Sequence, residues 1–400
     1  MTPTPEPIEP WVVALVQLRG RPRLHALALR CHDICPDGRL WPLERPPAAV
    51  LEPTDELQWR PDDDLAPCKP CTDVVVIGSA WAPGRRPVRR LLARVGVPEL
   101  GVSAAMLVVG DRRLHAHGRE VTMGEPEPFE RMPLDWRRAY GGPSPLVAAS
   151  STPSGRHRTP TPPGSTPSPS DDDVVADLLR QRAARHGHPR NPVGCGWDGG
   201  VRARGTALDT RASSGPLPNF EDPDHLLDVG CFAGTRSWPE QPMPRGFGWL
   251  APTWFPRAPR FGPHDAVRRR PVTADPGPAA RDHIDANAAF AWSSGAAPGL
   301  ALPWLRGGET LHMLGLSPHG RTLVRLPTPT ATRAWWAGLE LETRWRIHTV
   351  CIDVDAARLT VVWRAEMQLP SALHRALEAA ELQSPGLLDA GALELAADFT

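Results

Sequence analysis

Lysine and tyrosine are almost absent from this chain: Lys69 and Tyr140 are the only examples of each. An excess of charge is missing too, because 45 Lys+Arg balance 45 Asp+Glu in 400 residues. A nucleic-acid binder needs a basic excess or a basic face to neutralise phosphates, so the balance argues against that class. No apolar run approaches the ~18 residues of a membrane span, and no membrane insertion is expected. The opening MTPTPEPIEP has no basic n-region and no apolar h-region. No secretory signal is expected, and a cytoplasmic setting follows. Seven cysteines, an odd number, fit reduced thiols better than a disulfide framework. The signatures HExxH, GxSxG and the phosphate loop do not occur, and there is no internal repeat.

Proline is abundant, at 49 residues, and tryptophan numbers 15. Proline fixes φ and removes a donor, so extensive loops must connect the elements. Buried tryptophans supply large apolar area, and most are read as core or strand-face packing. The near-exclusive use of arginine has two readings. One is genomic base composition; the other is bidentate anion recognition.

Trp11–Leu18 and Leu24–Leu29 read as strands joined near Gly20-Arg21-Pro22. Trp41–Asp64 reads as loop. Asp73–Ala80 (DVVVIGSA) is continuous rather than alternating, as in a strand buried on both faces. Arg85–Val95 and Leu100–Val109 follow as strands. Pro143–Ser170 is too rich in Pro, Ser, Thr and Gly to bury a core and is expected to be disordered. Asp171–Asp173 and the spacing after it predict a helix to His186, stopped by Gly187 and Pro189. Glu309–Leu316 and Thr322–Leu326 predict a hairpin over Ser317–Gly320. Arg344–Val354 alternates, with Trp345, Ile347, Thr349 and Cys351 on one side, and Leu359–Leu369 returns across Asp355–Arg358. Ser371–Leu382 predicts a helix with a Ser N-cap, and the last residues predict a second short one. The fold class is α+β, mainly β: antiparallel sheets, long Pro-rich loops and a few peripheral helices.

Few constellations suggest chemistry. Cys31-x3-Cys35 with Cys68-x2-Cys71 offers four thiolates to zinc, or four unligated thiols. His115-x-His117 is a metal pair or a solvated strand face. Arg137-Arg138 could grip an anion or form salt bridges to Glu221 or Asp222. Asn219, Glu221 and Asp222 lie in a Pro-bounded loop, where such side chains bond backbone or bind a ligand.

Three stretches share a Gly-, Pro- and Asn-rich character: Arg131–Gly142, Asn191–Trp197 and Leu217–Pro223. They fall in order with others. Lys69-Pro70-x-Thr72-Asp73 leads into Val74–Ile77, and Gly110-Asp111-Arg112 follows. Met132-Pro133-Leu134 then runs into Arg138-Ala139-Tyr140-Gly141-Gly142. Next come Asn191-Pro192-Val193-Gly194 and Leu217-Pro218-Asn219-x-Glu221-Asp222-Pro223. Gly246-Phe247-Gly248 with Trp254 and Arg257 precedes a last strand holding Trp363-Arg364. This ordered set resembles the bacterial domain of unknown function 2169 family over about residues 11–370. The resemblance implies one family domain in two strand-rich halves, 11–142 and 174–370, interrupted by a loop at 143–172 and followed by a helical tail at 371–400.

The resemblance also implies a role. Members are associated with type VI secretion, as non-enzymatic adaptors or chaperones for an effector or its PAAR spike-tip segment. A protein partner is therefore expected, and no cofactor, metal or catalytic residue is carried over. Client masking by an apolar surface or strand addition at a sheet edge are the two physical forms considered. The residues marked by the motifs, as structural or client-binding, are Lys69, Thr72, Asp73, Asp111, Arg112, Arg138, Tyr140, Gly141, Gly142, Asn191, Gly194, Asn219, Glu221, Asp222, Trp254 and Arg257. Rival readings are an enzyme, a hydrolase or modifier built around Arg138, Asn219, Glu221 and Asp222, and a structural component of the spike.

Overall fold

A computed structural model of the chain describes residues 7–8, 12–18, 21–43, 69–117, 120–142, 187–197, 216–232, 241–251, 254–255, 257, 294–336, 338–368, 370 and 393–399. The chain divides into two units. One comprises Met1–Gly84, Ala93–Ala104 and Phe247–Thr400; the other comprises Arg85–Leu92 and Ala105–Gly246.

In chain order the first unit opens with β1 (Pro7–Ile8), β2 (Val12–Leu18), β3 (Arg21–Ile34), β4 (Leu40–Leu43), β5 (Thr72–Ile77) and β6 (Ser79–Trp81). Residues of β7 (Arg90–Val97) and β8 (Val102–Val109) are shared between the units. The second unit holds β9 (Leu114–His117), β10 (Glu120–Met123), β11 (Arg131–Pro133), β12 (Tyr140–Gly141), β13 (Cys195–Gly196) and β14 (Phe220–Glu221). The first unit resumes with β15 (Ala301–Leu302), β16 (Thr310–Leu314), β17 (Arg321–Arg325), β18 (Pro329–Trp336), β19 (Leu339–Glu340), β20 (Thr343–Asp353), β21 (Arg358–Gln368) and β22 (Leu393–Phe399).

The main sheet of the first unit runs β15-β5-β20-β21-β3-β2, with β4 beside the end of β3. The β-branched run of β5 lies in its interior, and Val74, Val75 and Val76 are fully buried, as a continuous apolar strand demands. β5 runs parallel to β20, whereas β20, β21, β3 and β2 pair antiparallel in turn. Strands from both sides of the Pro/Ser-rich stretch 143–172 therefore share one sheet. A second sheet of this unit runs β1-β22-β18-β19. The expected hairpin is β16 with β17, and β16 also pairs with Arg94–Gly96 of β7.

In the second unit β14 pairs antiparallel with β8, β9 with β10, and β12 runs parallel to β13. Leu114, Tyr140, Leu217, Leu227, Cys231 and Phe232 form a core cluster there, with Met123 and Trp197 packed against it.

The described chain is thus mainly β, and its only helical pieces are short 3-10 turns. Several expectations shift. The last residues form β22, not a helix, because pairing with β1 and β18 gives their apolar run a sheet to join. β4 (Leu40–Leu43) runs into the stretch from Trp41 where loop was expected. The alternation expected across β20 breaks at a bulge: Ile347 pairs with Trp363, and Thr349 with the next residue, Val362. The extra residue, His348, puts Thr349 and Cys351 on the opposite face from Trp345 and Ile347. The helices expected at 171–186 and 371–382, and the loop 143–172, lie outside the described residues.

Candidate functional site

The motif residues gather into three polar clusters, one in the first unit and two in the second. In the first unit, Lys69 Nζ lies 2.9 Å from Asp73 Oδ2, with both side chains fully buried. Two buried charges are costly unless paired and hydrogen-bonded. Lys69 Nζ also donates to Thr349 Oγ1 at 3.0 Å, and the Gly295 N–H donates to Asp73 Oδ2 at 2.7 Å. The bulge at His348 is what turns Thr349 toward the ammonium. Thr72 Oγ1 donates to the Ile347 carbonyl at 2.6 Å and accepts from the Leu305 N–H at 2.9 Å. Lys69, Thr72 and Asp73 thereby tie β5 to β20 and to the segment before β16. Burial pushes the Asp73 carboxyl above its ordinary value, against the pull of Lys69, the Gly295 N–H and Arg257. Burial, then Lys69 and Arg364, hold the His348 imidazole well below its ordinary value, so it is neutral. Arg257 is buried and donates to the Leu250 carbonyl, and Trp254 is buried beside it in sequence.

In the second unit, Arg112 and Glu221 form a buried ion pair, and Glu221 Oε2 also accepts from the Leu227 N–H at 3.0 Å. Asn219 Nδ2 donates to the Val109 carbonyl at 2.9 Å and to Asp111 Oδ1 at 2.8 Å. Arg138 Nη1 donates to Asn219 Oδ1 at 3.0 Å and to Asp111 Oδ1 at 3.2 Å. Asp222 pairs with Arg245 and accepts from the Asp224 N–H at 3.1 Å. The Arg137-Arg138 pair therefore does not bridge to Glu221 or Asp222. Arg138 takes Asp111, while Arg112 and Arg245 take the two acids.

Asn191 is the centre of a third knot. Its Nδ2 donates to the Trp136 carbonyl at 2.8 Å and to the Tyr140 carbonyl at 3.1 Å, while its own carbonyl accepts from the Gly142 N–H at 2.9 Å. A Cβ on Gly141, which has φ +144, would lie 2.2 Å from the Asn191 oxygen, and one on Gly194 would lie 2.4 Å from its Nδ2. Only glycine allows that approach. Tyr140 OH donates to the Cys231 carbonyl at 3.4 Å, and its ring meets His188 edge-on at 5.5 Å. Burial, with Arg190 adding to it, pushes His188 down to about 3.

A cleft of about 510 Å³ opens beside the second cluster, lined by Asp111, Arg112, Arg138, Cys195 and Asn219 among others. Of the four residues around which an enzyme was considered, it takes in Arg138 and Asn219 but neither Glu221 nor Asp222. Its thiol, Cys195, is pushed up to about 11 by burial, the reverse of what activates a cysteine nucleophile. Among the described residues no three His, Cys, Asp or Glu side chains gather as a metal site. Cys31 contacts Thr360 Oγ1 at 3.5 Å and Cys71 contacts Ser294 Oγ at 3.1 Å, while Cys68 lies outside the described residues. His115 is exposed on β9.

The partners that complete these clusters were not singled out from the sequence as site residues: Gly295, Leu305, His348 and Thr349 in one unit, His188 and Arg245 in the other. An isolated β-branched or glycine residue 222 to 280 positions away carries no local signal of such a contact. The surface of the first unit, by contrast, exposes Trp41 at 70% and Leu339 at 47%. Among the described residues no helix is long and apolar enough to cross a membrane.

No curated protein and no solved structure matches the chain. The family described as "Uncharacterized protein conserved in bacteria (DUF2169)" matches residues 19–364, a span that takes in every motif traced above. The chain belongs to the DUF2169 family of bacterial proteins.

Proposed function

We propose that this protein is a non-enzymatic adaptor-chaperone, which holds a type VI secretion effector or its PAAR spike-tip segment in the cytoplasm and aids its loading. The observation that carries this reading is how the motif side chains are used. Lys69, Thr72, Asp73, Arg112, Asn191, Asn219 and Glu221 are all buried and bonded to backbone or to one another. They fix the paths of loops. A scaffold whose shared residues hold loops in shape suits recognition of a protein surface, and the exposed Trp41 and Leu339 offer apolar contact to such a partner.

Deleting the gene in the native host tests the reading. The client is expected to aggregate or disappear, while its transcript persists, and to return when the gene is restored. A tagged copy is expected to recover one spike-tip protein or neighbouring toxin at near-equimolar yield. Unchanged client levels, and no recovered partner in cells producing the secretion apparatus, would shift weight to an enzyme. Presence of the protein in the secreted fraction would favour the spike-component reading.

A further inference from the structure

The hairpin β16–β17 turns one face inward, with Leu311, Met313 and Val324 buried. Its other face is unusual in composition. Strand alternation puts Thr310, His312 and Leu314 of β16 on that side, opposite Arg325, Leu323 and Arg321 of β17. Across β16, Arg94 of β7 pairs with Leu314. Side chains directly opposite on a sheet stand about 5 Å apart, so these residues form a grid. Leu314 is flanked by Arg94 and Arg321, and Leu323 lies between Arg321 and Arg325. The two leucines remain 39% and 41% exposed. Arg94, Arg321 and Arg325 are exposed, and among the described residues no carboxylate pairs with them. Two acids of the adjoining segments bond backbone instead: Glu99 accepts from the Thr310 N–H at 2.9 Å, and Glu309 accepts from the Arg306 and Gly307 N–H groups at 2.8 Å.

We infer that this face is a docking surface for an extended acidic segment of a protein partner, with carboxylates spaced by apolar side chains. The inference rests on the adaptor reading and narrows it to one face and one client chemistry. Charge complementarity selects the acid, and the leucines between the arginines select its apolar neighbours. The edge of the hairpin is closed to an added strand. Gly38 approaches so near that a Cβ on it would lie 1.8 Å from the Leu323 carbonyl oxygen. The segment therefore lies on the face, and strand addition at β17 is not its mode. A nucleic acid would meet the arginines but leave the leucines against water.

The full chain is titrated with a labelled synthetic peptide of alternating Glu and Leu. Peptides of alternating Lys and Leu and of alternating Glu and Ser serve as controls, with a single-stranded oligonucleotide as a fourth probe. The Glu/Leu peptide is expected to bind most tightly and to weaken with salt. The exposed changes Arg321→Glu with Arg325→Glu are expected to weaken it by about tenfold or more. Leu314→Ser with Leu323→Ser is expected to reduce it toward the Glu/Ser control. Equal binding by wild type and variants, no binding by wild type, or tighter binding of the oligonucleotide would overturn the inference. Capture from the native host is run in parallel with both forms. A client retained by the arginine variant overturns this surface and leaves the adaptor reading standing. A client absent even from wild type, beside the expected peptide result, withdraws the adaptor reading and keeps the acidic-segment site.

Discussion

Replacing Lys69 by methionine would leave the Asp73 carboxyl fully buried with its cation gone. Breaking such a pair from one side costs about 3–5 kcal/mol, so the urea midpoint is expected to fall sharply in Lys69→Met. Adding Asp73→Leu should return part of that loss, because the uncompensated charge goes too; a double-mutant cycle in urea measures the coupling. A second residue-scale prediction concerns pH. His188 titrates near 3 when folded, against an ordinary value of 6.5. Above 6.5 both folded and unfolded chains keep it neutral. Below 6.5 the unfolded chain takes up a proton that the folded chain refuses, so stability falls as pH drops from 6.5 toward 3. His32, held down to about 4 by burial and Arg30, acts in the same direction. His188→Phe keeps a ring between Tyr140 and Trp197 and is expected to flatten part of this acid limb in urea midpoints measured across pH. An unchanged slope would contradict the assignment.

At the scale of elements, two glycines make a controlled comparison. Gly38 and Gly101 both have positive φ, +83 and +65, but only Gly38 has a backbone oxygen in the space of a Cβ. Gly101→Ala should cost about 1 kcal/mol, the conformational term alone. Gly38→Ala should cost clearly more, since the turn before β4 must withdraw from β17; equal costs in chemical denaturation would show that the turn moves freely. This contrast bears on what the sequence could reveal. The β16–β17 hairpin was legible because Ser317–Gly320 separates two apolar runs, and β5 because its β-branched run is unbroken. The bulge at His348 was not legible. Nothing local distinguishes an extra residue from ordinary alternation; the register of β21 does. Nor was β22, since a short Leu/Ala run suits helix or strand until its neighbours are known. The same limit held at the sites. The motif residues were found, but their roles depend on partners such as Thr349 and Gly295, hundreds of residues away.

For the whole molecule, the interleaving of strands from both sides of residues 143–172 means that neither flank can complete the main sheet by itself. A chain cut within that stretch is expected to yield fragments that fold only when mixed. Circular dichroism of each fragment, alone and together, checks this, and a native-like spectrum from one fragment would refute it. A different consequence follows from the solitary lysine. Of 45 lysines and arginines Lys69 alone carries a primary side-chain amine, and that amine is fully buried. Amine-directed acylating reagents will therefore find no ε-amino group on the folded protein, and conjugation or cross-linking through lysine will fail. Label at Lys69 becomes a stopwatch for opening of the main sheet, readable by mass spectrometry in a mixture where no optical probe could follow this chain.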